Sequence, residues 1–278
     1  ADESGRRSPA TEEGSRLISP FGAEFFLKDI TLQVWAGELL VVCGGQGQGK
    51  SSLLGGLLGE MALEGGALRS PATRRLALEG AGGHEDAVLL PLTTAEAQAE
   101  VSQSADLAKG SPFAAQAVML FSGTVRSNIL FGARHDAGLY TRVIKACSLE
   151  TDLSTMPLGD STEVAQGGST LSGGQRARIG VARASYRAAL NMLDNPGCAP
   201  PLVMLDDPFC ALDRRVGKDI VTALFAQPSG LLCTCAVVVT AADVWWLRCL
   251  RGSGNFARIA VLRDGGVVAL GGLAELAE

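Results

Sequence analysis

The first patterned part of the chain predicts a strand, a tight turn and a helix in succession. Residues 39–43 (LLVVC) form a continuous apolar run of the kind found in buried parallel strands, and the run stops at a group of glycines. Residues 51–58 follow with apolar positions at helical spacing. A strand, a glycine-rich turn and a helix form a common supersecondary unit of α/β proteins.

Later apolar runs repeat the alternation of strand and helix. Three more strands are predicted, at residues 202–205, 236–240 and 259–262. Asp264, Gly265 and Gly266 have the composition of a hairpin turn and precede a last predicted strand at 267–270. Strands that alternate with helical stretches indicate an α/β fold with a layered core.

Polar segments interrupt this pattern in two places. Residues 1–16 are rich in Ser, Glu, Arg and Gly and predict a flexible tail or linker. Residues 62–111 show weak periodicity, and a compact domain rarely holds so long a loop without reason, so we interpret much of 80–111 as a mobile surface insertion. Residues 17–278 are expected to form one domain that carries this addition.

Composition excludes some classes of protein. The 278 residues are 47% hydrophobic and 19% charged, which is typical of a folded globular domain. The net charge of -5 argues against a nucleic-acid partner, which would require a basic face. The longest apolar stretch, near 231–242, is shorter than the roughly 20 residues needed to cross a bilayer, and no signal peptide opens the chain. We therefore expect a soluble fragment, and the start at Ala1 without a methionine suggests a piece of a longer polypeptide.

The seven cysteines predict reduced, buried thiols. They are scattered through mostly apolar runs and show no C-x-x-C spacing, which argues against a disulfide framework. Cys233 and Cys235 lie two residues apart and would be compatible with a metal-ligand pair, but their apolar surroundings favour core thiols.

Residues 44–51 (GGQGQGKS) have the spacing of a phosphate-binding P-loop, in the strand-to-helix context that gives this spacing its meaning. Glycines let backbone N–H groups turn inward, and the helix N-terminus adds about half a positive charge, so the loop suits phosphates. Lys50 is predicted to contact the β- and γ-phosphates of ATP, and the Ser51 hydroxyl to supply a ligand to Mg²⁺. The alternative is a glycine turn of purely structural use. The predicted nucleotide-binding residues are Gly44, Gly45, Gln46, Gly47, Gln48, Gly49, Lys50, Ser51 and Ser52.

Two carboxylates follow the apolar run at 202–205. Asp206 and Asp207 are placed at the C-terminal end of a predicted strand, where open α/β sheets bind their ligands. Asp206 is the expected carboxylate ligand of Mg²⁺. An apolar run that ends in Asp is common, so this prediction depends on the P-loop.

Residues 171–175 (LSGGQ) resemble the signature peptide of ABC ATPases, and residues 176–184 resemble the helix that follows it. The resemblance covers nearly the whole chain. It implies an α/β P-loop NTPase core with a mixed, mostly parallel sheet, an antiparallel β subdomain and an ABC-type α-helical subdomain. We place the core at about 17–115 and 181–278 and the helical subdomain at about 117–180.

The resemblance also implies that the ATP site is shared between two domains. A Ser and two Gly at a helix start form a backbone N–H cradle that suits a γ-phosphate. In this family that phosphate is bound to the partner, a second ABC nucleotide-binding domain, and residues 211–213 match the D-loop that crosses to it. The expected contacts to the partner's ATP are Ser172, Gly173, Gly174, Gln175 and Asp213.

Other positions indicate the subfamily and complete the predicted site. Residues 120–132 (LFSGTVRSNILFG) closely resemble the multidrug-resistance-associated exporters of subfamily C. Gln116 lies where the family's Q-loop glutamine is expected, with a role in catalysis and at the metal; a merely solvated glutamine is the alternative. Among Phe21, Phe25 and Phe26, we predict that Phe21 stacks on the adenine ring. Core packing is the expected role of at least two of these three residues.

The predicted catalytic site departs from the family at two positions. Asp207 stands where most active ABC sites have a glutamate that orients the attacking water, and aspartate is shorter by one methylene. Ala241 stands where the switch histidine is expected after the strand at 236–240. The pattern resembles the first nucleotide-binding domain of subfamily C and predicts retained ATP binding with weak intrinsic ATPase activity.

Three functions are weighed. The first is an energy-coupling domain of an exporter, bound to transmembrane domains at the cytosolic face of a membrane. The second is a nucleotide-sensing regulatory domain of a channel-type or channel-regulating ABC protein, which a degenerate site would suit. The third, a soluble ABC ATPase acting on ribosomes or DNA, is disfavoured by the acidic charge and by residues 120–132.

Overall fold

The computed structural model of this chain describes residues 27–61, 111–250, 256–272 and 275. Within this part, the strands are β1 (Glu38–Cys43), β2 (Phe113–Ala114), β3 (Gly123–Thr124), β4 (Glu163–Val164), β5 (Leu202–Asp206), β6 (Ala236–Ala241), β7 (Phe256–Arg263) and β8 (Gly266–Gly272). The α-helices are α1 (Lys50–Leu57), α2 (Val125–Leu130), α3 (Ala137–Ala146), α4 (Glu150–Thr155), α5 (Gly173–Asp194) and α6 (Arg214–Phe225). Short 3-10 helices occur at Gly159–Ser161, Gln166–Gly168 and Trp245–Leu250.

Six of the strands form one mixed sheet in the order β2-β5-β6-β1-β7-β8. Neighbouring strands run parallel except β7 and β8, which form an antiparallel hairpin. Asp264 and Gly265 connect these two strands, both with positive φ, as the composition of the turn predicted. The small strands β3 and β4 pair with each other in a separate antiparallel sheet. The predicted fold class, an α/β domain with a mostly parallel sheet, is confirmed.

The continuous apolar run of β1 is explained by burial on both faces of the sheet. Leu39 and Val41 belong to the larger hydrophobic cluster, which also contains residues of α3, α5 and α6. Leu40 and Val42 point to the opposite face and pack with the α1 residues Leu53 and Leu54. Successive residues of a strand face opposite sides, so a strand covered on both sides needs apolar residues at every position.

The register of the parallel strands brings their C-terminal ends to one edge of the sheet. Cys43, the last residue of β1, is paired with Ala241, the last residue of β6. Asp206, the last residue of β5, is paired with Thr240. The glycine loop after β1, the two aspartates at the end of β5 and the Ala241 position therefore meet at the same edge, where ligands of open α/β sheets bind.

A helical region contains α2, α3, α4 and the β3–β4 pair, and its helices α2 and α3 pack against the 22-residue helix α5. The buried hydrophobic residues of α5, from Ile179 to Leu190, belong to the main hydrophobic cluster, together with Val125, Ile129 and Val143 of the neighbouring helices. The Tyr186 hydroxyl donates to the Arg134 carbonyl and accepts from the Asp136 N–H, which joins α5 to the start of α3. Because α5 also packs against β2 and β5, it connects the helical region to the sheet.

The cysteine prediction was wrong for several positions. Among the described residues, the seven cysteines form no disulfide, but only Cys147 and Cys235 are buried, whereas Cys198 and Cys210 are exposed. These two lie on loops beside β5, outside the apolar strands and helices that suggested burial. The tail at 1–16 and the proposed insertion, apart from Ser111, lie outside the described residues, so the predicted domain boundaries stay predictions. No helix of the described ranges is long and apolar enough to cross a membrane.

Candidate functional site

The loop after β1 has the conformation that its glycines allow. Gly49 precedes α1 with φ +96°, a left-handed conformation that side chains with a Cβ rarely adopt. A Cβ at Gly44 would lie 2.4 Å from the Leu262 carbonyl oxygen of β7, so the loop lies directly against the neighbouring strand. No side chain caps the N-terminus of α1, and its first turn contains no acidic residue. The N–H groups of this turn are therefore available to an anion.

Lys50 opens α1 and reaches back over the loop. Its Nζ donates to the carbonyl oxygens of Gly44 and Gly45, at 2.9 and 2.8 Å. These bonds hold an ammonium group above the backbone that the glycines form. A phosphate bound by the loop would lie beside this positive charge.

Ser51 and Asp206 are in direct contact across 155 residues of sequence. The Ser51 hydroxyl donates to Asp206 Oδ1 at 3.1 Å, and the Thr240 hydroxyl donates to the same oxygen at 2.5 Å. A hydroxyl and a carboxylate are hard oxygen donors of the type that Mg²⁺ prefers, and Mg²⁺ is usually bound through one or two carboxylates plus phosphates. The described residues contain no cluster of three His, Cys, Asp or Glu side chains that could hold a metal ion.

Gln116 and Asp207 also lie together at this edge. The Gln116 Nε2 donates to Asp207 Oδ2 at 3.3 Å. Burial and the neighbouring Asp206 raise the pKa of Asp207, while Lys50, the Ala242 backbone N–H and the Gln116 side chain act in the opposite direction. Asp207 has φ +42°, so its backbone is held in the left-handed region at the end of β5.

The residue at the position where the resemblance places the switch histidine is apolar and buried. Ala241 ends β6 and is 1% exposed. Of the two histidines, His135 lies in the helical region, where its ring packs edge-on against Tyr140 with 5.3 Å between the centroids. His84 lies outside the described residues.

The signature peptide forms the start of α5. Ser172 caps this helix: its hydroxyl accepts from the Gln175 N–H at 3.2 Å, and the Gln175 side chain accepts from the Ser172 N–H at 2.9 Å. Such a capping box uses two N–H groups and fixes the first turn. Ser172 and Gly173 are exposed, so this helix start is open to solvent.

The signature peptide and the following loop approach each other within the chain. A Cβ at Gly174 would lie 3.3 Å from the Ala211 carbonyl oxygen. Two residues later, Asp213 caps α6 by accepting from the N–H groups of Arg215 and Val216, both at 3.0 Å. Asp213 itself is exposed. The two segments that carry the predicted partner-contact residues thus lie next to each other, with Ser172, Gly173 and Asp213 exposed to solvent.

Comparison with known proteins identifies the family. The family described as "ABC transporter" matches residues 27–197, which is more than half of the chain. The chain belongs to the ABC transporter family. It is 34% identical over 98% of its length to the ABC-type transporter cicA of Emericella nidulans, and 36% identical over 70% of its length to the cystic fibrosis transmembrane conductance regulator of Danio rerio. It is also 34% identical over 75% of its length to ATP-binding cassette sub-family C member 2 of Mus musculus.

The resemblance to subfamily C of the ABC transporter family is thereby confirmed. The chain spans only 15%, 10% and 10% of the length of these three relatives. It corresponds to the ATP-binding cassette of much longer transporters.

The structure places most of the site residues that the ABC resemblance implied. P-loop residues 44–51 surround the start of α1, and Asp206, Asp207 and Gln116 adjoin them. Ser52 lies in α1 and is partly buried. Phe21 lies outside the described residues. The assignment of all these residues to ATP, Mg²⁺ and a partner stays a prediction.

Two contacts at this ABC site were not anticipated. Thr240 joins Asp206 and Asp207, and the Gln48 side chain accepts from the Asp264 N–H in the β7–β8 turn. The sequence signal for Thr240 was its place at the end of an apolar strand run, next to the Ala241 position. Gln48 offered no comparable signal, because a contact with residue 264 depends on the order of strands in the sheet.

A largely buried ion pair supports the signature peptide. Arg178 and Asp152 form a salt bridge in which the two side chains are 13% and 14% exposed, and Gln175 Nε2 donates to the same carboxylate at 3.0 Å. Removal of one partner leaves an uncompensated charge and costs several kcal/mol.

We expect Asp152→Ala to lower the free energy of unfolding by about 3 kcal/mol, because Arg178 would stay buried without its partner. Asp194→Ala is the matched control, since its pair with Arg134 is exposed and solvent-screened, and little change is expected. Urea denaturation of the two variants measures the difference. Equal effects of both substitutions would contradict the role given to burial.

Proposed function

We propose that this chain binds Mg-ATP and pairs face to face with a second ABC nucleotide-binding domain to drive transport. The observation that carries the proposal is the meeting of Lys50, Ser51, Asp206, Gln116 and Asp207 at one edge of the sheet. They come from separate parts of the chain, and a purely structural glycine turn would not require this arrangement. The family and the subfamily C relatives support the same assignment.

Each residue has a role that its position supports. The glycine loop and the N-terminus of α1 would bind the phosphates, and the Lys50 ammonium would neutralise the β- and γ-phosphate oxygens. Ser51 and Asp206, with Gln116, would hold Mg²⁺, which would supply positive charge to the phosphate oxygens. Phe21 is proposed to stack on the adenine ring.

The signature peptide would form the second half of an ATP site on a partner domain. Ser172, Gly173 and Gly174 open a 22-residue helix at an exposed surface, where a γ-phosphate carried by another domain would meet N–H groups and the positive end of the helix dipole. Gln175 holds the first turn through the capping box, and exposed Asp213 lies in the adjoining loop. ATP bound at either half-site would then join the two domains, and the chain's signature half would complete the partner's site.

The chain's own hydrolytic site is proposed to be weak. A general base must reach the attacking water, and the Asp207 carboxylate already accepts from the Gln116 side chain. The methyl group of Ala241 offers neither a donor nor a charge to the γ-phosphate. These two departures support a domain of the first-domain type in subfamily C, which retains ATP binding and hydrolyses slowly.

The proposed membrane partners have a candidate contact surface in the helical region. Met119, Phe121 and Phe131 are 72%, 36% and 58% exposed, and the two phenylalanine rings stack with centroids 5.0 Å apart. The Arg183 guanidinium lies 4.9 Å from each ring centroid. Large exposed apolar groups of this kind mark interaction sites, and this one lies in the chain segment that follows Gln116. We propose that transmembrane domains dock here, which places the chain at the cytosolic face of a membrane.

A second candidate is a nucleotide-sensing regulatory domain. The altered Asp207 and Ala241 positions favour it, and one relative is named as a transmembrane conductance regulator. In that function, ATP binding alone would change the state of an attached channel. The exporter function and the regulatory function are distinguished by the transmembrane region of the protein, which would form a transport cavity in the first case and a pore in the second.

The proposal is tested by equilibrium binding of ATP in Mg²⁺ and by steady-state phosphate release from the purified chain. Saturable ATP binding together with turnover near background would support it. Absence of ATP binding would overturn it. Rapid turnover would agree with the proposed ATP binding but would contradict the proposal that the chain's own site hydrolyses ATP slowly.

A further inference from the structure

Thr240 lies between the two strands that carry the candidate site. It is the next-to-last residue of β6, paired with Asp206 of β5 on one side and with Val42 of β1 on the other. Its side chain is fully buried. The three residues before it are valines, so Thr240 introduces a hydroxyl at the end of an otherwise apolar strand.

The hydroxyl contacts both aspartates. It donates its single hydrogen to Asp206 Oδ1 at 2.5 Å and accepts from the Asp207 backbone N–H at 3.0 Å. The Thr240 carbonyl oxygen accepts from the same N–H at 3.0 Å. A hydroxyl has one donor and two acceptor positions, so these contacts define its orientation.

Asp206 in turn orients Ser51. Its Oδ1 accepts from the Ser51 hydroxyl at 3.1 Å, so two hydroxyl groups meet on one carboxylate oxygen. Because the Ser51 hydrogen is directed at Asp206, the lone pairs of the Ser51 oxygen are left for a cation. The chain of contacts runs from Thr240 through Asp206 to Ser51.

We propose that Thr240 is a positioning residue for Mg²⁺, because its buried hydroxyl holds the Asp206 carboxylate in the orientation in which Asp206 and Ser51 bind the cation. The inference rests on the proposed function, since it assumes that Mg-ATP occupies this edge of the sheet. Thr240 does not itself bind the cation. Groups behind metal ligands fix ligand orientation, and their loss typically weakens metal binding by about 10- to 100-fold.

The competing explanation is that Thr240 serves packing alone. Valine has nearly the shape of threonine, and its side chain already fills the three preceding positions of β6. If only shape matters, valine at position 240 would serve equally well. If the hydroxyl matters, serine would preserve the function and valine would not.

The test compares Thr240→Val and Thr240→Ser with the wild-type 278-residue chain. ATP binding is titrated calorimetrically, once with excess Mg²⁺ and once with EDTA. We expect Thr240→Val to weaken binding in Mg²⁺ by about tenfold, as for loss of a group that orients a metal ligand, and to leave binding in EDTA unchanged. Thr240→Ser is expected to bind like the wild type in both titrations.

The EDTA titration separates a metal effect from a folding defect. A misfolded Thr240→Val chain would lose ATP binding in both titrations. In that case the test is repeated with Thr240→Ala, which also removes the hydroxyl but introduces a smaller side chain. Equal weakening of folded Thr240→Val in Mg²⁺ and EDTA, or no weakening at all, would overturn the role of Thr240 and leave the proposed function intact. A wild-type chain that binds no ATP in either titration would instead overturn the proposed function.

Discussion

Lys50→Ala is expected to weaken ATP binding by about 100-fold, since a hydrogen bond to a charged group contributes about 1.5–3 kcal/mol and about 1.4 kcal/mol is a factor of ten. The ammonium group lies over the glycine loop, held by the carbonyl oxygens of Gly44 and Gly45. Alanine has no donor to replace it, and the β- and γ-phosphates would lose their nearest positive side chain. Equilibrium titration with ATP in Mg²⁺ measures the change.

Lys145→Ala is the matched control for this substitution. Lys145 is exposed in the last turn of α3, in the helical region, and its removal changes the net charge by the same amount. ATP affinity close to that of the wild type is expected for this variant. If Lys50→Ala retained wild-type affinity, or if both variants lost affinity equally, Lys50 would not bind phosphate and the assignment of the P-loop would fail.

The sheet and the P-loop were predictable because burial and spacing determine them locally. A strand covered on both faces must be apolar at every position, so residues 39–43 could be recognised without knowledge of their neighbours. The P-loop glycines were predictable from their spacing, and the structure gives a reason for two of them: a Cβ at Gly44 would meet the backbone of β7, and Gly49 has a positive φ. Strand ends differed by one to three residues, because pairing between backbones continues past the apolar runs, as at Ala241.

Contacts between distant side chains were not predictable in the same way. Asp206 could be proposed as a metal ligand from its place after a strand, but its bond from Thr240 depends on β5 and β6 being neighbours in the sheet. The salt bridge between Asp152 and Arg178 likewise requires α4 to lie against the start of α5. The family resemblance supplied the roles of Gln116 and the signature peptide, which spacing alone would not have indicated.

The double substitution Asp207→Glu with Ala241→His is expected to raise ATP turnover at least about tenfold, because a positioned general base contributes about 100- to 10,000-fold and an electrostatic donor about 100- to 1,000-fold. The longer glutamate side chain at position 207 would extend beyond the bond that Gln116 now makes to Asp207. An imidazole at position 241 would supply the missing donor at the end of β6. Only part of the full contribution is expected, since Ala241 is buried and β6 must accommodate a larger side chain.

Controls for this rescue assign the gained activity to the site. Each single substitution is expected to give a smaller gain than the pair, and Lys50→Ala added to the double variant is expected to abolish turnover. Ala242→His, combined with Asp207→Glu, moves the imidazole to the next, exposed residue and is expected to restore less. Phosphate release is measured at a high concentration of the chain, because the intact signature peptide of one copy would complete the site of another. Rapid wild-type turnover, equal to that of the double variant, would show that another group already supplies the catalysis, and the weak-site proposal would then be abandoned.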